Sequence, residues 1–338
     1  NIVQIDCSQK NSNELIMSSL MNGAEGIWFK NVDFKNLKSI LKDILFDCIT
    51  ATFEIDSKED ATILVQELQS FKETATLRIL CDANANIIKS FEGFSNCKIV
   101  VNGLSFHNDG ANISQEIAFT LNKAVDFITL FKSENSSMKL SILLGAGSNY
   151  FYEIAKYRAF RCLWKNIINH VGFEQENLEI HGCTGRVNMT MADHHNNLLR
   201  QTTQCMSASL GGADLVSVEP YDVVTNEQDE RILRMAKNIP LILKEEGYLD
   251  KVIDPANGSY YIEWLTNQWI DKSFDLFKKV QHDTTLISSE IEKTVAIRTS
   301  LFENNEVELI GVNVYENKNL APLTRTCKEG FTYESKEN

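Results

Sequence analysis

Eight times along this chain a short, β-branched apolar run alternates with a longer, more polar stretch of helical periodicity, and this restricts the fold more than any other feature. The strand candidates are Ile2–Asp6, Gly26–Lys30, Thr50–Ile55, Thr76–Cys81, Lys98–Leu104, Lys139–Leu144, Leu178–Gly182 and Leu215–Glu219. Helical patterns fall at Asn13–Met21, Ala61–Phe71, Ser114–Phe131, Tyr150–Val171 and Asp193–Leu210, and a charged helix over Glu227–Glu245 closes the series. Leu178–Asp222 spells one whole unit: strand, polar loop, helix, Gly-Gly turn, strand. Parallel strands require such crossovers, which are right-handed almost without exception. Eight units predict an α/β fold, a (β/α)8 TIM barrel, whose functional face is built from the loops after the strands' C-terminal ends.

The expected organisation is a barrel over residues 1–246, a short C-terminal extension packed on its exterior over 247–319, and a linker or tail over 320–338. Asp254-Pro255 and Asn257-Gly258 mark a turn, followed in this reading by a short strand and an amphipathic helix. The chain opens on NIVQID without an initiator Met and reads as a piece of a longer protein.

Charge limits the partners. With 33 basic and 46 acidic residues, a net of -13, the balance argues against nucleic acid or an anionic membrane as partner, since both need a basic face. No run of about 18 or more apolar residues predicts a membrane span. The eight cysteines form no CxxC pair and most sit in apolar runs, as free thiols of a reducing compartment do, so the expected location is cytoplasmic and neither a metal nor a disulfide framework is expected.

Several residues at the predicted loops could carry chemistry. His181 closes the seventh strand, as a ligand-facing group or the relic of one. Arg78, between Leu77 and Ile79, faces the barrel interior if its neighbours face the helices, and a buried Arg needs a carboxylate. The protein is the simpler source, a substrate the other. His107 with Asn108 and Asp109 forms either an acid/base cluster or a cap for the helix near Ser114. Adjacent His194 and His195 point about 100° apart on a helix, unlike metal ligands at a spacing of three or four, and suit packing and capping. Gly145–Asn149, GAGSN, has the glycines of a tight strand-to-helix turn, without the third glycine of a dinucleotide fingerprint. Glu219 and Asp222 follow the eighth strand, and Lys30 ends the second.

Longer motifs resemble the barrel domain of the adenosylcobalamin-dependent acyl-CoA mutases, the methylmalonyl-CoA mutase family. That family's THxQTSGW, YNN, RTxxEAMxA and DEA elements are similar to IHGCTGRV, His195–Asn197, RQTTQCMSAS at Arg200–Ser209, and EPYD. Gly145–Trp164, Lys237–Thr266 and Leu309–Tyr315 extend the likeness over most of the chain.

The departures shape what the resemblance implies. The family's catalytic SGYHxQEAGA aligns with Asn102–Ala111, NGLSFHNDGA, which puts Leu104 and Ser105 at the Tyr and His positions and His107 at the Gln. In the strand-seven loop Cys183 replaces a Gln and Gly185-Arg186-Val187 replaces SGW, while His181 is kept. Arg78 lies in a run similar to the segment that holds the substrate carboxylate. A cobalamin box, DxHxxG, is not found; DHHNNL at Asp193–Leu198 lacks its glycine. The resemblance therefore implies the small, non-catalytic subunit of a heterodimer, with Leu104, Ser105 and Cys183 as degenerate positions and Arg78, His107 and His181 as relic site residues. It implies no cofactor bound by this chain, adenosylcobalamin in the partner large subunit, and the interconversion of methylmalonyl-CoA and succinyl-CoA by the complex. The alternatives are an active barrel served by a cobalamin domain on another chain, with His107 or His181 standing in, and an unrelated barrel lyase. The lyase needs a Lys or metal cluster at the strand ends, where Lys30 stands alone. Phe53, Leu104 and Phe106 are the bulky candidates for filling the barrel.

Overall fold

The computed structural model describes residues 1–175, 177–223 and 230–316. Its first half runs β1 (Ile2–Asp6), α1 (Ser12–Met21), β2 (Gly26–Lys30), α2 (Leu37–Ile40), β3 (Thr50–Glu54), α3 (Lys58–Glu67), β4 (Thr76–Leu80), α4 (Ala85–Phe91) and β5 (Asn96–Asn102). The second runs α5 (Leu104–Asn108), α6 (Ile113–Ser133), β6 (Lys139–Ala146), α7 (Tyr150–Val171), β7 (Glu179–Thr184), α8 (Asn196–Leu210) and β8 (Leu215–Ser217). Helices α9 (Glu230–Glu245), α10 (Tyr260–His282) and α11 (Leu286–Glu303) follow. All eight strands pair in parallel in sequence order. Across the seam, Ser217 Oγ donates to the Ile2 carbonyl at 2.7 Å, bridging β8 to β1. The molecule is the expected (β/α)8 barrel.

Strand alternation produces two cores. Outward residues such as Ile5, Phe29, Phe53, Ile79 and Ile99 pack against the helices in the main core. Phe53 stacks on Phe29 at 4.4 Å, outside the ring, and Phe106 meets Phe119 of α6 at 5.6 Å, so neither fills the barrel as the sequence suggested. Inward residues Ile2, Trp28, Val100, Leu104, Leu143 and Cys183 form a separate cluster on the barrel axis. Gly26 belongs to this tight interior: a Cβ there would lie 2.3 Å from the Thr50 carbonyl and 2.6 Å from Ile2 Cδ1.

Two segments depart from the sequence reading. Leu104 begins a helix instead of ending β5, because Asn102 turns the chain: its Oδ1 accepts from Ser105 N at 3.1 Å. The short strand expected after Gly258 is the first turn of α10. The aromatic run Tyr260-Tyr261 favours extension, yet Ile262, Leu265 and Thr266 recur at helical spacing and are buried. Arg158 of α7 pairs with Asp254 and, at 2.5 Å, with Glu263, tethering this segment to the barrel. Residues 227–229 of the predicted charged helix, and the tail from Leu320, lie outside the described residues.

Candidate functional site

The axial cluster lies between two polar networks. In the first, Arg78 is wholly buried on β4, facing inward as its Leu-Arg-Ile setting predicts. Its Nε donates to Glu179 Oε1 at 3.0 Å, Nη2 to Ser141 Oγ at 3.0 Å, and Nη1 to Thr52 Oγ1 at 3.2 Å and His181 Nδ1 at 2.8 Å. The carboxylate that answers the guanidinium is therefore the protein's own. Glu179 also receives Lys98 Nζ at 2.5 Å. Burial would raise the Glu179 carboxyl, but Arg78 and Lys98 hold it below its ordinary range.

These bonds fix the state of His181. An Arg can only donate, so Nδ1 accepts and the ring proton sits on Nε2. Nε2 lies 2.7 Å from Ser217 Oγ, whose own hydrogen goes to the Ile2 carbonyl. The relay runs one way, from Arg78 through His181 and Ser217 to β1. Burial first, and then the charge of Arg78, drive the His181 pKa well below 6.5, so the ring is neutral.

The second network stands at the strands' C-terminal ends. Lys30 donates to Gln4 Oε1 at 3.2 Å and lies 4.9 Å over the Trp28 ring. Gln4 Nε2 donates to Cys183 Sγ at 3.2 Å, and Trp28 Nε1 to Glu54 Oε1 at 2.9 Å. Arg186 pairs with Glu219 at 2.8 Å, and Lys30 stands 3.9 Å from the same carboxylate. Burial, reinforced by Glu219, pushes the Cys183 pKa well up, so it is a thiol and no nucleophile.

His107 is apart from both networks. Its ring is wedged among three glycines at the ends of β6 and β7, where a Cβ on Gly145, Gly147 or Gly185 would come within 2.3, 3.2 or 2.1 Å of it. Nδ1 lies 3.2 Å from Glu116 Oε2. Glu116 also receives Gly145 N at 2.7 Å and Lys156 Nζ at 2.8 Å, and Lys156 pairs with Glu153 at 2.5 Å. Burial alone would raise the Glu116 carboxyl; Lys156 and His107 reverse this and hold it low. His107 is thus not a cap for α6, which is supplied by Asn112 in a capping box with Gln115. The Ser105 hydroxyl donates to the Asn102 carbonyl at 3.2 Å.

The structure therefore joins Arg78 to His181 and Leu104 to Cys183, and separates His107 from them. Sequence reading missed Glu116, Glu153, Lys156 and Glu179. Glu153 and Lys156 carried one signal: charges three residues apart among the apolar positions of a helix that the core requires. His194 and His195 lie 4.1 Å apart; His194 stacks on Tyr221 at 5.8 Å and His195 lies tilted against it at 5.5 Å. Asn149 caps α7 by accepting from Tyr152 N at 3.4 Å, which makes GAGSN the predicted strand-to-helix turn.

A family model for methylmalonyl-CoA mutase matches residues 51–332. The chain belongs to the methylmalonyl-CoA mutase family. A methylmalonyl-CoA mutase small subunit of Porphyromonas gingivalis is 40% identical over 190 residues, 54% of this chain and 31% of that protein. A small subunit of Streptomyces virginiae is 28% identical over 293 residues, 82% of this chain and 46% of that protein. A methylmalonyl-CoA mutase of Rhizobium meliloti is 28% identical over 293 residues, again 82% of this chain and 41% of its own length. The chain thus spans less than half the length of these relatives, and within the mutase family it has a small-subunit-like barrel. Among the described residues, no helix is long and apolar enough to cross a membrane.

Proposed function

We propose that this chain is the barrel of a non-catalytic mutase subunit that supports a catalytic large subunit in a heterodimer. The filled barrel axis carries this reading. Ile2, Trp28, Val100, Leu104, Leu143 and Cys183 are each at most 5% exposed where an acyl thioester would have to pass. Radical rearrangement requires an enclosed cavity around the substrate and groups that steer the intermediate. The mouth offers Leu104, packed into the axis, and Ser105, bonded to its own turn, at the positions the family gives to Tyr and His. These residues do not fit a working adenosylcobalamin site, and in this reading the cofactor belongs to the partner. The partner's reaction would be the interconversion of methylmalonyl-CoA and succinyl-CoA.

Buried partners weigh against an active barrel. Arg78 and His181 spend their polar atoms on protein groups, and His107 is anchored through Nδ1 to Glu116 away from the barrel axis, so none is positioned there to stand in for a lost catalytic side chain. The complete protein is expected to co-purify with a catalytic large subunit, and the complex should keep its turnover when His107→Ala is introduced in this chain. Loss of turnover in an intact complex would instead favour an active barrel.

A further inference from the structure

Outside the ring, a pocket of about 270 Å³ lies where α6 and α7 begin, walled by His107, Asn112, Asn149, Gln204, Trp269 of α10 and Arg298 of α11. Two long helices, of 21 and 22 residues, open onto it. Their first amides carry partial positive charge, which favours an anion. Each capping Asn accepts from the third helical amide, Gln115 N or Tyr152 N, so the caps leave the preceding amides to other partners.

Buried polar atoms on the same wall supply an independent observation. His107 is 7% and Gln204 2% exposed, yet among the described residues nothing pairs with His107 Nε2, the Gln204 amide oxygen or the Trp269 indole N–H. Leaving such groups unmatched is costly, which favours an occupant that pairs with them. All can donate. The indole does so always, the Gln204 amide does so when turned over, and His107 does so at Nε2 once protonated. Nδ1 faces the Glu116 carboxylate, which leaves Nε2 as the ring nitrogen without a partner. The Glu153 carboxylate on this wall shares Lys156, at 2.5 Å, with Glu116.

We propose that this pocket binds a small oxyanion, a carboxylate or a phosphate, held by His107 Nε2, the Trp269 indole and the N-terminal ends of α6 and α7, with Arg298 at its wall. On binding, His107 takes one proton from solvent at Nε2, giving an imidazolium between Glu116 and the anion. The pocket is separate from the barrel axis, so the site does not depend on whether this chain has a catalytic partner.

The test titrates the complete protein with sodium acetate and, separately, with inorganic phosphate, using chloride at matched ionic strength as reference. Binding is followed by calorimetry, and the His107 ring by nitrogen-15 imidazole spectra. Saturable binding of either oxyanion, with the Nε2 resonance moving to its protonated position, supports the proposal, and the anion that binds identifies the class. Trp269→Phe should weaken that binding about tenfold, the worth of one hydrogen bond to a charged group. Arg298→Met provides a second variant should Trp269→Phe not fold. Neither oxyanion shifting the His107 resonance, or both folded variants binding as tightly as the parent, overturns it.

Discussion

Arg78 shows at the scale of one residue how this barrel satisfies a buried cation by internal pairing. Its donors end on Glu179, Ser141, Thr52 and His181, all of them protein groups. Breaking a buried, hydrogen-bonded ion pair is strongly unfavourable, so Arg78→Met should destabilise the protein by about 3 kcal/mol, read from denaturant unfolding. Arg78→Lys should recover little, because an ammonium cannot reproduce the planar fork. His181 gives a pH signature of definite sign. Its folded-state pKa is driven below 6.5, so the unfolded chain binds the proton first as pH falls. The stability its neutral form contributes is present above about pH 6.5 and is lost below it, at up to about 1.4 kcal/mol per pH unit. Between pH 7 and 5, the parent should therefore lose more stability than His181→Gln. An equal loss in both proteins would contradict the neutral, buried assignment. The inward placement of Arg78 was legible because Leu77 and Ile79 alternate with it. Its partner was not, since Glu179 is 101 residues away and only barrel closure brings the two together.

At the scale of elements, helix starts and glycine clearances position the residues around His107. Asn149→Ala removes the cap of α7 and should cost about 1 kcal/mol, seen as a lowered unfolding midpoint. Gly185→Ala should cost more, because its Cβ would come 2.1 Å from His107 Nε2. Combining it with His107→Ala should recover part of the loss, whereas simple additivity would show that the two do not touch. Strands were the readily legible elements, since period-two apolar runs persist wherever a buried parallel strand forms. Local competition obscured the rest. The Asn102 side chain converts the end of an apolar run into the start of α5, and burial of Ile262 and Leu265 overrides the extended preference of two tyrosines. Glu116 was hidden for a related reason: one of four charges along α6, it reads as solvated until Lys156 and His107 are placed around it.

For the whole molecule, the eightfold alternation sufficed for the barrel, and the motif departures at Leu104, Ser105 and Cys183 pointed to its mouth. What fills the axis depended on strand register, which assigns Trp28 and Leu143 inward and Phe53 outward. A barrel packed along its axis by its own side chains supports an architectural role beside a catalytic subunit. The most direct test is turnover of methylmalonyl-CoA by the complete purified protein with adenosylcobalamin, with and without the large subunit. Our account predicts no turnover alone and full turnover in the complex; robust turnover by this protein alone would contradict it.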